Sequence, residues 1–177
     1  MNRSRFQELE VLVHSPASEP RSTPLLFVHG AFTGAWCWEE HFLPYFAEAG
    51  YSAYALSLSG HGGSRGRERL DSLSIADYVA DIAEVAASLP VPPVLIGHSM
   101  GGFVVQKYLE EHEAPAAVLM CSVPPQGLMS AAVGMLFSRP GLLQDLNRLM
   151  GGGQVALDSL RDALFAQPIG ADDLSRF

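Results

Sequence analysis

Val94-Leu95-Ile96-Gly97-His98-Ser99-Met100-Gly101-Gly102-Phe103 decides how this chain is read. Val94 to Ile96 is a short run apolar on both faces, which suits a buried parallel strand. Gly97 to Gly102 is a tight turn, and Phe103 to His112 has helical length. Between strand and helix, Gly97-His98-Ser99-Met100-Gly101 fits G-x-S-x-G. A serine on such a turn is held in strained backbone geometry with its oxygen raised above the sheet. Side chains two residues to either side would meet neighbouring backbone, so glycine is required at 97 and 101. Gly102 gives the helix room to approach the sheet. The helix start aims N–H groups at the serine, which favours negative charge developing there. The pentapeptide alone is a weak signal, because an ordinary glycine-rich turn also carries it. Its setting makes Ser99 the candidate nucleophile.

Working outward, the same alternation of strand and helix recurs. Glu10 to His14 reads as a short strand, Leu25 to Val28 as a buried one, and Tyr51 to Leu58 as the next. Ala35 to Ala49 reads as a helix stopped by Gly50 and kinked or split at Pro44. Ile75, Val79, Ile82, Val85 and Leu89 recur at helical spacing, with Ser74 and Asp77 as the N-cap signature. Ala116 to Cys121 is a further strand. These elements predict an α/β fold: a mostly parallel sheet with helices on both faces. The pattern changes at Pro125. Leu128 to Phe137, Leu142 to Met150 and Val155 to Phe165 read as helices, so residues 1–125 form a core and 126–177 a helical segment, apolar and rich in methionine.

Composition narrows the function. Of 177 residues, 48% are hydrophobic and 17% charged, which excludes a disordered tail. The net charge of −8 argues against nucleic acid, whose phosphates need Lys and Arg. It also gives no pull towards anionic membranes. Leu128 to Phe137, the longest apolar stretch, is too short to span a bilayer. Arg3 and Arg5 are followed by Glu8 and Glu10 before any apolar region, so no secretory signal is read. Cys37 and Cys121 match no zinc or redox spacing, and a reducing, cytoplasmic setting is the expectation. Gly60 to Arg65 is not G-x-G-x-x-G, and no phosphate-binding P-loop sequence is present. No metal or cofactor is expected.

Three stretches together resemble the α/β-hydrolase family of serine esterases, lipases and acyl-hydrolases. They are Leu26-Phe27-Val28-His29-Gly30-Ala31-Phe32, Gly60-His61-Gly62-Gly63-Ser64 and Gly97 to Gly102. The likeness covers roughly residues 8–125, and the helical remainder resembles the family's cap or lid. It implies that Ser99 is the nucleophile, with the backbone N–H groups of Ala31 and Met100 as the oxyanion hole. Phe32 would line the acyl pocket, a core aromatic being the other reading. His29 and His61 resemble loop-bracing positions. His98 adjoins Ser99 in the elbow, so its side chain points elsewhere and it reads as a packing residue. His14, His41 and His112 read as surface or boundary residues. Where the family often has Asp three residues before Gly60, this chain has Ser57, which removes a bracing carboxylate. An aspartate-nucleophile relative is disfavoured because Ser99 holds the elbow.

The family's triad runs Ser, Asp or Glu, then His. After Ser99 the sole histidine is His112, carried away along the helix at about 1.5 Å per residue. The acid and base therefore have no candidate here. Asp145, Asp158, Asp162, Asp172 and Asp173 read as solvated helix-surface residues. The implied function is hydrolysis of a small-molecule carboxylic ester or thioester with an apolar acyl group, through an acyl-enzyme. The 177 residues are expected to be a shortened form, incomplete at the C-terminal edge of the sheet and nearly inactive alone. The alternatives are half of a split enzyme, or a non-catalytic binding protein using the same cleft. The open edge at Ala116 to Cys121 would favour self-association.

Overall fold

Strand β2 (Leu25–Val28) is buried at every residue, as its continuous apolar run requires. The computed structural model describes residues 8–17 and 19–127, with isolated positions 141, 144, 145, 148, 153, 161, 167 and 170. On one side β2 pairs in parallel with β3 (Ala53–Leu56), and on the other with β4 (Val94–His98). Beyond β4 lies β5 (Ala117–Met120), also parallel. The first strand, β1 (Val11–His14), runs antiparallel against β3. The order is β1-β3-β2-β4-β5.

Alternation along the strands sends side chains to two cores. Leu26, Val28, Leu56 and Leu95 face Tyr78, Ile82 and Val85 of α2 (Ile75–Ser88) and Val104, Val105 and Tyr108 of α3 (Met100–Tyr108). Leu25, Phe27, Ala53, Ala55 and Ile96 face Ala35, Trp38 and Leu43. There the Phe27 ring meets Trp38 at 5.1 Å and Phe46 at 5.6 Å between centroids. Helices thus cover both faces. Each fully buried Leu, Val or Ile contributes about 1.5–3 kcal/mol. α2 starts at a full capping box: Ser74 Oγ accepts from Asp77 N–H, and Asp77 Oδ2 accepts from Ser74 N–H at 2.8 Å. Such a cap stabilises by about 1 kcal/mol.

Two expected helices differ from the structure. Ala35 to Ala49 is a 3-10 turn, Ala35–Trp38, followed by α1, Phe42–Glu48. The break falls at 39–41 and not at Pro44. Pro44 lies in the first turn of α1, where no intrahelical N–H bond is lost. α3 starts at Met100 rather than Phe103 and ends at Tyr108 rather than His112. The Gly101-Gly102 pair that reads as a turn is helical because the helix must pass closely over the sheet.

The chain divides into two units, Met1–Pro125 and Gln126–Phe177. Of the expected helices in the second, Leu128 to Phe137 lies outside the described residues. So do most positions of Leu142 to Met150 and Val155 to Phe165, although Gln144, Asp145, Arg148 and Arg161 are helical. Among the described residues no helix is long and apolar enough to cross a membrane. β5 is the terminal strand of the described sheet, and Val118 and Leu119, pointing to opposite faces, are 48% and 46% exposed.

Candidate active site

Ser99 stands between the end of β4 and the first residue of α3, with φ 53° and ψ −117°. A non-glycine residue at such angles costs roughly 1–3 kcal/mol and persists only where its surroundings fix it. They do so here through the main chain. Ser99 N–H donates to Met120 C=O at 3.0 Å, and Ser99 C=O accepts from Val123 N–H at 3.1 Å. Gln106 Nε2 donates to Ser122 Oγ at 2.7 Å and to Val123 C=O at 3.0 Å, which holds the loop after β5 against the elbow. The glycines are sterically required. A Cβ on Gly97 would lie 2.6 Å from Gly101 C=O, and one on Gly101 would meet the carbonyls of Val28 and His29. Ser99 Oγ makes no capping bond. The N–H groups of the first α3 turn, Met100 included, have no partner within the helix.

The turn after β2 lies directly against this elbow. A Cβ on Gly30 would stand 3.1 Å from Ser99 Cβ and 3.2 Å from His98 Nδ1. The orientation of that turn is set by a buried imidazole. His29 Nε2 accepts the Leu58 N–H at 3.0 Å, so the proton resides on Nδ1, which donates to Gly30 C=O at 2.6 Å. Thr33 Oγ1 donates to the same carbonyl at 3.0 Å. A trans peptide directs its C=O and N–H to opposite sides. With Gly30 C=O held towards His29 and Thr33, the N–H of Ala31 is turned away from them. Desolvation lowers the His29 pKa from 6.5 to about 4, so the ring is neutral near pH 7. His29 is therefore a brace, and His61, its Nδ1 3.0 Å from Ser59 C=O and its ring 5.1 Å from that of His29, is another.

The bracing carboxylate that position 57 lacks is present, supplied by a different residue. Glu10, paired across from Ser57 just before β1, accepts from Ser57 Oγ at 2.6 Å and from Gly63 N–H at 3.0 Å on the same Oε2. A second carboxylate, Asp81 on α2, accepts from Ser59 N–H at 2.7 Å and Ser59 Oγ at 2.8 Å. Burial raises the Asp81 pKa, and the Ser59 bonds oppose that. Neither acid was marked as functional by the sequence. Asp81 breaks the apolar stripe of α2, and a buried acid on a core-facing helix was the available signal.

The remaining expected residues are placed as follows. Ala31, Ser99 and Met100 are half-buried beside one another's segments. Phe32 has φ 65° and is 59% exposed, which removes the core-aromatic reading. His98 is an exposed residue whose ring packs edge-to-face on Trp38 at 6.4 Å, and partial burial lowers its pKa, in keeping with a packing role. His41 and His112 are exposed and His14 is intermediate. His112 lies beyond the far end of α3, its ring stacked on Tyr108 at 4.3 Å. It is no partner for Ser99. Burial pushes the Cys37 thiol up to about 11, so it is no competing nucleophile near pH 7.

Known proteins agree with this architecture. The sequence profile of the alpha/beta hydrolase family matches residues 25–176. Methyl jasmonate esterase 1 of Vitis vinifera is 37% identical over 95 residues, covering 52% of this chain and 35% of the esterase. Norfluorocurarine synthase 1 of Strychnos nux-vomica is 32% identical over 108 residues, covering 58% of this chain and 40% of the synthase. Among solved structures, a thioesterase domain from the curacin biosynthetic pathway superimposes with a TM-score of 0.62 at 25% identity, covering 95% of this chain and 61% of the domain. The chain thus spans about 40% of the length of the first of these curated relatives. With the elbow, the turn beside it and the family match in agreement, this chain belongs to the alpha/beta hydrolase family.

Proposed function

We propose that Ser99 is the nucleophile of a carboxylic-ester or thioester hydrolase. The observation that carries this is the strained Ser99 backbone, pinned at both its N–H and C=O, with the Gly30 turn packed against its Cβ. In this reading Ser99 Oγ attacks the acyl carbon and the carbonyl oxygen becomes an oxyanion. The N–H groups of Ala31 and Met100 receive that charge, each worth about 10²–10³ in turnover. The alcohol or thiol leaves with a proton, and water then releases the acid from the acyl-serine. The route asks for no metal or organic cofactor.

The proton-accepting histidine and its acid partner are supplied from outside these residues, because His112 is remote from Ser99. Residues 1–177 alone are accordingly almost silent; loss of the partners costs of order 10⁶ in a serine protease. Phe32, exposed at the turn, lines the acyl site. Two free cysteines, Cys37 and Cys121, support a cytoplasmic setting. The likeness to an esterase supports hydrolysis. The likeness to a synthase favours, as second reading, a non-hydrolytic step at the same serine.

The test is a series of p-nitrophenyl esters of rising acyl length, with the protein expressed from its full reading frame and Ser99→Ala as control. Serine-dependent release that improves with acyl length is expected. Preference for charged acyl groups defeats the apolar site. Release that survives Ser99→Ala defeats the nucleophile. A stoichiometric acyl-serine without turnover points to the non-hydrolytic reading, and tight ester binding without acylation to a binding protein.

A further inference from the structure

Glu10 and Ser57 form a polar chain that ends on the turn beside Ser99. Ala35 N–H donates to Ser57 Oγ at 2.8 Å, and Ser57 Oγ–H donates onward to Glu10 Oε2 at 2.6 Å. The hydroxyl is thereby oriented by a carboxylate, which strengthens both bonds. Gly63 N–H, from the loop after β3, donates to the same oxygen at 3.0 Å. The loop is shaped around this pair. Gly62 has φ 52°, and a Cβ there would run into Glu10 Oε2 and Ser57 Oγ. A Cβ on Gly34 would lie 3.1 Å from Ser57 Oγ. Ser64 Oγ closes the group, accepting Glu10 N–H at 2.9 Å and donating to Ser57 C=O.

Residues 30–35 are therefore held at two ends. At one, His29 and Thr33 grip Gly30 C=O; at the other, Ser57 grips Ala35 N–H. Between them lie Ala31 and Phe32. We propose that Glu10 is a positioning residue that, through the Ser57 hydroxyl, fixes the turn carrying Ala31 and Phe32 against Ser99, in place of a carboxylate at position 57. This rests on the reading of Ser99 as nucleophile only for its consequence in catalysis; the geometry of the turn stands apart from it. Glu10 reaches the turn through the Ser57 hydroxyl, while its second contact, Gly63 N–H, holds the loop after β3.

The test compares Glu10→Ala, Glu10→Gln and the exchange Glu10→Ala/Ser57→Asp with wild type, using the full protein. Two readouts are taken: hydrogen exchange at the Ala35 amide relative to the central β2 amides, and the rate at which a fluorophosphonate acylates Ser99. In Glu10→Ala the Ala35 amide should exchange about tenfold to a hundredfold faster while β2 stays protected, and acylation should slow by a similar factor. Glu10→Gln, which keeps an acceptor oxygen, should fall between. The exchange variant, with its carboxylate reaching Ala35 N–H directly, should recover both readouts. Unchanged Ala35 exchange in Glu10→Ala overturns the proposal. So does a uniform rise across β2, which marks a general loss of stability, and so does failure of the exchange variant to recover. If wild-type Ser99 is never acylated, the nucleophile reading fails, and the Ala35 readout alone decides the role of Glu10.

Discussion

Leu58 N–H donates to His29 Nε2 over 3.0 Å and so fastens the segment after β3 to the end of β2. One neutral ring thereby fixes two things: the loop that contains Gly60 to Ser64, and the direction of the Gly30–Ala31 peptide. Protonating it replaces an acceptor with a donor facing Leu58 N–H.

That exchange sets a pH dependence. The His29 pKa falls from 6.5 to about 4 on folding. Between those values the unfolded chain holds the proton and the folded chain does not. Stability therefore falls as pH drops through the window, by up to about 1.4 kcal/mol per unit, and levels off below it. Asp81, with a raised pKa, acts in the opposite direction. Urea midpoints of wild type and His29→Gln between pH 7 and 4 isolate the histidine. The variant should lose the part of the slope due to one proton, and equal slopes would mean that His29 binds no proton differentially on folding in this range.

Backbone strain at Ser99 gives a second outcome. Both Ser99→Ala and Ser99→Gly remove the hydroxyl, but glycine alone adopts φ 53° without strain. Ser99→Gly should be more stable than Ser99→Ala by about 1–2 kcal/mol in chemical denaturation. Equal stabilities would mean an unstrained elbow.

The glycines around it should rank by what they touch. Gly101→Ala drives a methyl into the Val28 and His29 carbonyls, neither of which can move without shifting β2. Gly102→Ala meets the Ser122 side chain, 2.6 Å from its Oγ. The first substitution should cost more than the 1–3 kcal/mol usual for overpacking, and the second should fall within it. Thermal unfolding of the two variants gives the order.

A further expectation concerns β5. With Val118 and Leu119 both about half exposed on the last strand of the described sheet, residues 1–177 should associate through it. Val118→Lys/Leu119→Lys should return light scattering to the monomer value. A wild-type monomer at every concentration would remove this edge as a docking strand.

How far all this was legible depends on range. The elbow was readable because strand, glycines and serine are consecutive, and the steric demands at Gly97 and Gly101 arise from neighbouring backbone. Ser74 and Asp77 were readable for the same reason. The start of α3 was not, because Gly101 and Gly102 carry turn propensity that close packing on the sheet overrides. Glu10 was hidden because its partner Ser57 is 47 residues away and meets it only across the antiparallel β1–β3 pair. The family pattern places the carboxylate at position 57, whereas here it comes from Glu10, the residue just before β1.

The most direct measurement is peptide mapping of the protein, expressed from its full reading frame, after reaction with a fluorophosphonate. One adduct is expected, on Ser99, absent in Ser99→Ala and formed more slowly in Glu10→Ala. An adduct on another residue, or one that persists in Ser99→Ala, would contradict the assignment of Ser99.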